Sequence, residues 1–244
     1  MPATSSNTGK GSAWGVILTF MVGSAVATAA PDPPQPYPTM APKQQYMIAS
    51  RDAEIALARS AAPPSVSDGA KILVLGKGGY ETVAAGSNGF TCLVERGWMS
   101  PFDSSNFWNP KLRGPVCYNP AASRSVLPYT LFRTKLVMTG TTSKAQLLEQ
   151  VQAAVAQKKL LPPEMGSMSY MMSKNGYLSD EAQAWHSHLM FHIAKTDAAT
   201  WGANLPGSPV IVDDGNTQVP EPQTIFMVAL GHWSDGTAAA QHAH

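Results

Sequence analysis

Charge is what this chain has least of. Charged side chains make up 14% of its 244 residues, against roughly a quarter in ordinary soluble domains. Lys and Arg together number 17, Asp and Glu 16, leaving a formal net charge of +1. With no dense basic stripe either, the chain is not read as a partner of nucleic acid or of any acidic polymer. Cysteine is nearly absent, with two residues, Cys92 and Cys117. The familiar catalytic signatures are missing as well. There is no Gly-x-Ser-x-Gly elbow and no serine with a lysine three positions on, which argues against α/β-hydrolase and penicillin-binding chemistry. No His-Glu-x-x-His, no Cys-x-x-Cys and no phosphate loop ending in Gly-Lys-Ser/Thr occurs. Long apolar runs are lacking after the first thirty residues, so no membrane association is expected once that segment is removed.

That first segment carries the address. Lys10 precedes an apolar run, Ala13 to Ala29, which ends in the small residues Ala27-Thr28-Ala29. This order predicts a secretory signal peptide over 1–29, cleaved between Ala29 and Ala30, and a periplasmic or extracellular protein. An uncleaved membrane anchor is the alternative. Residues 30–44 are Pro-rich and read as an extended linker. Residues 45–236 are expected to form a single domain, followed by a flexible tail over 237–244. In an exported chain an isolated cysteine pair is expected to be bridged, Cys92 to Cys117. The alternative is a free thiol that pairs with a histidine as a nucleophile.

Periodicity gives the fold class. A helix is predicted over Gln45–Ala61, another over Ala121–Val137 started or interrupted at Pro128, and a third over Lys144–Lys159 with Ser143 as N-cap. Strands are predicted at Lys71–Leu75, Tyr80–Ala84 and Phe90–Glu95. The glycine-rich separators 76–79 and 86–89 suit tight hairpins, so these three read as an antiparallel meander. Later strands are predicted at Met168–Ser173, Ala184–Ala194, Pro209–Val212 and Thr224–Leu230. The order implies an α+β domain: an antiparallel sheet, the N-terminal meander plus later strands, packed with two or three helices.

Two stretches carry chemistry. Residues 97–121 mix large aromatics with polar groups and resist assignment. They read first as a self-packed loop covering the sheet and, as the sharper alternative, as a ligand lid presenting Trp98, Trp108 and Arg113. The second stretch is Trp185-His-Ser-His-Leu-Met-Phe-His192. As a strand it places His186, His188, Met190 and His192 on one face, and Trp185, Leu189, Phe191 and Ile193 on the other, toward the core. His186 and His188, about 6.6 Å apart along a strand, could converge on one metal, whereas His192 lies too far along. Met190, His232 or the Met-rich stretch 165–172 could supply a third ligand. Imidazole with thioether favours copper over zinc as a cofactor.

The stretches LVERGWMSPFDSSNFWNPKLRGPVCYNP, MSYMMSKNGYLSD, WHSHLMFHI and WGANLPGSPV resemble those of exported bacterial proteins of unassigned function. The resemblance spans about residues 45 to 236 and implies export and a single domain, with no activity attached. Three functions stay open: a small-molecule binder with its pocket near the His186/His188 face and the loop 97–121, a copper- or zinc-binding protein or metal-dependent enzyme, and a structural or interaction protein of the cell envelope. Oligomeric state is not legible.

Overall fold

In the computed structural model, residues 36–212 and 221–239 are described. The predicted signal peptide lies outside them. Among the described residues five helices accompany one eight-stranded sheet, so the fold is α+β. The strands are β1 (Lys71–Gly76), β2 (Gly79–Ala84), β3 (Thr91–Glu95), β4 (Gly114–Tyr118), β5 (Met168–Met171), β6 (His188–Ala194), β7 (Val210–Val212) and β8 (Gln223–Ala229). Their order is β2-β1-β3-β4-β5-β6-β8-β7. The pairing is antiparallel except between β1 and β3.

That parallel pair corrects the predicted meander. β1 and β2 do form a tight hairpin around Lys77-Gly78, with Gly79 at φ +133°. The second separator is not a hairpin. It carries the chain past the start of β1, where Ser87 N–H bonds Gly69 O and Lys71 N–H bonds Phe90 O. The chain thereby enters β3 on the far side of β1. Gly86 makes this passage possible: it sits at φ +71°, and a Cβ there would lie 2.3 Å from Lys71 N. No long crossover is needed, because β2 already ends beside the first residues of β1.

Helix α1 (Arg51–Arg59) is capped by Ser50, whose side chain accepts from Ala53 N–H. It is shorter than expected, since residues 43–46 form a separate 3₁₀ turn. With the short α2 (Pro64–Ser67) following, the alanines Ala58, Ala61 and Ala62 pack on Ile72, Cys92, Val94 and Cys117, the back of the sheet. Helices α3 (Pro120–Ser125) and α4 (Leu127–Thr139) divide at Val126, just ahead of Pro128. They cover the front, where Leu73, Leu93, Val116 and Tyr118 meet Ala122, Val126 and Leu127. Helix α5 (Lys144–Ala156), capped by Ser143, packs Leu147 and Val151 against the outer side of α4.

Cys92 and Cys117 sit directly opposite each other on β3 and β4 and form a disulfide. No described cysteine is free, which closes the thiol-nucleophile alternative. Parts of the predicted linker and tail, residues 36–44 and 237–239, lie among the described residues. Tyr37, Met40 and Ala41 pack against the core, and Ala239 is buried, its N–H bonded to Gly231 O. Among the described residues no helix is long and apolar enough to cross a membrane.

Candidate functional site

The strand registers place one row of front-facing side chains across β3 to β7. Glu95 lies on β3, Gly114 on β4, Met171 on β5, and His188 and Met190 on β6. Met227 on β8 and Ile211 on β7 complete the row. All of them line one cavity of about 490 Å³, within the size range of small-molecule sites. Its rim is formed by residues 99–101 and by the segment 178–185, which supplies Leu178, Ser179, Ala182 and Trp185. The lining is mostly apolar, and four of its side chains are methionines: Met99, Met171, Met190 and Met227.

The segment 178–185 is held by one carboxylate. Asp180 accepts from Tyr37 OH at 2.5 Å, from Tyr177 OH and from Asn109 Nδ2 at 3.3 Å, and it pairs with Lys111 at 2.7 Å. These bonds hold Asp180 well below the usual carboxylate range, the Lys111 bond most of all. Five residues on, Trp185 adopts φ +56°, a left-handed backbone that is uncommon for a bulky side chain. Its ring sits edge-on to the imidazoles of His186 and His188, at 5.1 and 4.7 Å between centroids. Such conformations persist where surrounding contacts over-determine them, and they cluster at functional sites.

Two ionisable groups in the lining are displaced from their ordinary behaviour. Burial raises the Glu95 carboxyl, against the opposing bonds that Tyr118 OH (2.6 Å) and Thr130 Oγ1 (3.2 Å) donate to Oε1 and against the charge of Arg133. With both hydroxyls on Oε1, a proton held by this acid belongs on Oε2. Burial pushes His188 down to about 4. Its Nδ1 lies 2.7 Å from His186 O. Since a carbonyl only accepts, the proton sits on Nδ1 and Nε2 keeps its lone pair. The cavity therefore holds a buried acid whose proton affinity is raised and an imidazole able to accept, on apolar walls.

The predicted residues are placed as follows. His188, Met190 and His192 do share a face of β6, but that face is the core side and Phe191 points outward, 38% exposed. The expected polarity of the strand is reversed. Each buried imidazole is bonded through one nitrogen: His192 Nε2 lies 3.0 Å from Ser169 Oγ, and burial pushes His192 down to about 4. His186 precedes the strand rather than extending it, because β6 starts at His188. Trp185 is at the cavity, not on the opposite face. Of the Met-rich stretch, Met171 lines the cavity while Met165 is fully exposed. His232 pairs by a β-bridge with Ala238 and is not in the lining.

Trp98, Trp108 and Arg113 do not line the cavity either. Trp98 and Trp108 are buried in the core with Tyr46, Phe102 and Phe107. Trp98 Nε1 donates to Thr134 Oγ1 at 3.0 Å, and the Trp108 carbonyl accepts from Tyr46 OH at 2.9 Å. Gly97 permits this folding-in, since a Cβ there would meet Phe107 O at 2.7 Å. Arg113 bonds the carbonyls of Pro110, Leu112, Gln45 and Met47. Glu95, Met99, Met227 and Asp180 were not singled out from sequence. A lone acid closing an apolar strand, Thr91 to Glu95, is the one sequence signal available for the first of them.

Among the described residues no group of three or more His, Cys, Asp or Glu side chains is placed to hold a metal ion. No family model, curated protein or solved structure matches the chain.

Proposed function

We propose that this chain is an exported domain that binds a small, largely apolar molecule in the cavity on the front of β3 to β8. The observation that carries the reading is the cavity itself: about 490 Å³, walled by methionine, leucine and tryptophan, with only a few convergent polar groups. Flexible thioether side chains fit irregular apolar shapes. Glu95 and His188, three strands apart, would each meet a different polar group of the ligand, with His188 Nε2 accepting. Export is supported by the order of charge, apolar run and small residues at the N-terminus and by the Cys92–Cys117 bridge.

A hydrophobic fluorescent probe such as anilinonaphthalene sulfonate should bind the folded protein with one site, and Ile211→Trp, which fills the cavity from β7, should abolish it. Saturable binding that survives Ile211→Trp unchanged would place the probe elsewhere and reject the reading. N-terminal sequencing of protein from its native host should begin at Ala30; a chain still starting at Met1 would reject export by cleavage.

A further inference from the structure

The floor of the cavity has a composition that an apolar pocket does not require. The register pairs His188 with Met171 across β5 and β6, and Met190 with Met227 across β6 and β8. Directly opposed residues have Cβ atoms about 5 Å apart, and residues two apart on one strand are separated by about 6.6 Å. All four are front-facing, and all four line the same cavity. His188 thus has a thioether beside it on β5, a second one step along its own strand and a third diagonally across β8.

We infer that this floor is a Cu(I) site, with His188 Nε2 and the thioethers of Met171 and Met190 as ligands and Met227 next to them.

Four observations converge on that ion. First, the imidazole is prepared as a ligand: Nδ1 bonds the His186 carbonyl at 2.7 Å, which fixes the ring and leaves Nε2 as the coordinating atom, the arrangement usual for metal-binding histidines. Second, thioethers are soft ligands that select Cu(I) over Zn(II) or harder cations. Among the described residues no group of three or more His, Cys, Asp or Glu side chains offers a harder alternative site. Third, Glu95, the acid in the lining, stands three strands away on β3 and is engaged by Tyr118 and Thr130. The four floor side chains, His188, Met171, Met190 and Met227, include no carboxylate to offset the charge of an ion, and a monovalent ion enters at lower desolvation cost than a divalent one. Fourth, both described cysteines are consumed in the bridge. In an oxidising compartment thioether sulfur remains available as a soft ligand where thiols do not. The Trp185 ring, 4.7 Å from the His188 ring, would close the site from above and keep water from a reactive ion.

The inference goes beyond the apolar-ligand reading and does not depend on it, since it concerns only the floor. The full mature chain is titrated anaerobically with Cu(I) against a chromophoric competitor such as bicinchoninate, and with Ag(I) as a redox-inert probe. One equivalent should be retained at sub-micromolar affinity. Met171→Leu and Met190→Leu keep volume and apolarity and so should fold; each should weaken retention tenfold or more. Met165→Leu, at a fully exposed position, should not. Failure of the wild-type chain to hold Cu(I) or Ag(I) against the competitor would overturn the inference. So would Met171→Leu and Met190→Leu proteins that bind like wild type, because the ion would then reside elsewhere. The fluorescent probe is measured on the same samples: loss of probe binding with copper retained rejects the apolar-ligand reading alone.

Discussion

Glu54 and Arg96 form an ion pair at 2.8 Å in which the side chains are 5% and 0% exposed. The pair joins four parts of the molecule. Glu54 belongs to α1, and its Oε1 also accepts from Leu75 N–H of β1 at 3.0 Å. Arg96 follows β3, donating through Nε to Tyr46 O at 2.8 Å and through Nη1 to Val94 O. Glu54→Ala would leave the guanidinium without its counter-charge and Leu75 N–H without an acceptor. Removing one partner of a buried pair costs about 3–5 kcal/mol, and an orphaned buried donor about 1–3 kcal/mol. Both losses act through one oxygen and so do not add in full, giving about 4–6 kcal/mol. For a domain of this size each kcal/mol moves the melting temperature by about 3 °C, so a fall of roughly 12–18 °C is expected. Glu54→Gln retains an acceptor for Leu75 and should lose about 1 kcal/mol less than Glu54→Ala. Urea and thermal unfolding read both. A loss below about 1.5 kcal/mol for Glu54→Ala would refute the reasoning, since a pair this dry cannot be broken cheaply unless water reaches it.

Three further outcomes are expected. Glu95 has its folded-state pKa raised by burial, so its contribution to stability is complete below the ordinary value of 4.5 and is lost as pH rises through the raised one. The neutral isostere Glu95→Gln should therefore gain on wild type as pH increases from 4 to 8 in urea titrations; a difference flat across that range would count against it. Replacing both cysteines of the Cys92–Cys117 bridge, 25 residues apart, by alanine should cost roughly 3.5 kcal/mol in the chain-entropy model, and unfolding with and without reductant measures it. Asp180→Ala removes the acceptor shared by Tyr37, Tyr177, Lys111 and Asn109. Chymotrypsin should then cut within 177–185 several-fold faster, while the melting temperature moves by only a few degrees; equal cleavage rates would show that the segment is held by something else.

Legibility in the sequence followed the range of the interactions involved. The β1–β2 hairpin, the Ser143 cap and the strands near 168, 210 and 224 are local events, readable from glycine, serine and alternation. β4 was missed because Gly114 and Pro115 argue against a strand. Proline is accepted there because the β4–β5 ladder involves only Cys117 and Tyr118, and the Val94 carbonyl opposite Pro115 on β3 accepts from Tyr80 OH and Arg96 Nη1. The place of β3 could not be read, since its glycine separator looks the same whether the chain turns back or passes beneath β1. Alternation divided β6 into two faces but not into inside and outside: each imidazole inside is bonded through one nitrogen, to Ser169 or to the His186 carbonyl, and both partners are distant or non-side-chain groups. The burial of Trp98 and Trp108 likewise depends on Tyr46 and Thr134, far away in sequence.

The sheet is thick at one end and thin at the other. β1, β3 and β4 lie between α1 behind and α3 with α4 in front, and the disulfide crosslinks two of them. At the far end β6, β8 and β7 have the cavity in front, and behind them Ala203 and the Trp201 ring, stacked on Phe226 at 4.9 Å. Opening free energies should follow that asymmetry. Amide protons of β7 and β8 should exchange through local fluctuations, whereas those of β3 and β4 wait for global unfolding. The molecule would then breathe at the strands bordering the cavity while its crosslinked end stays rigid, so a guest could pass in and out without the fold being put at risk.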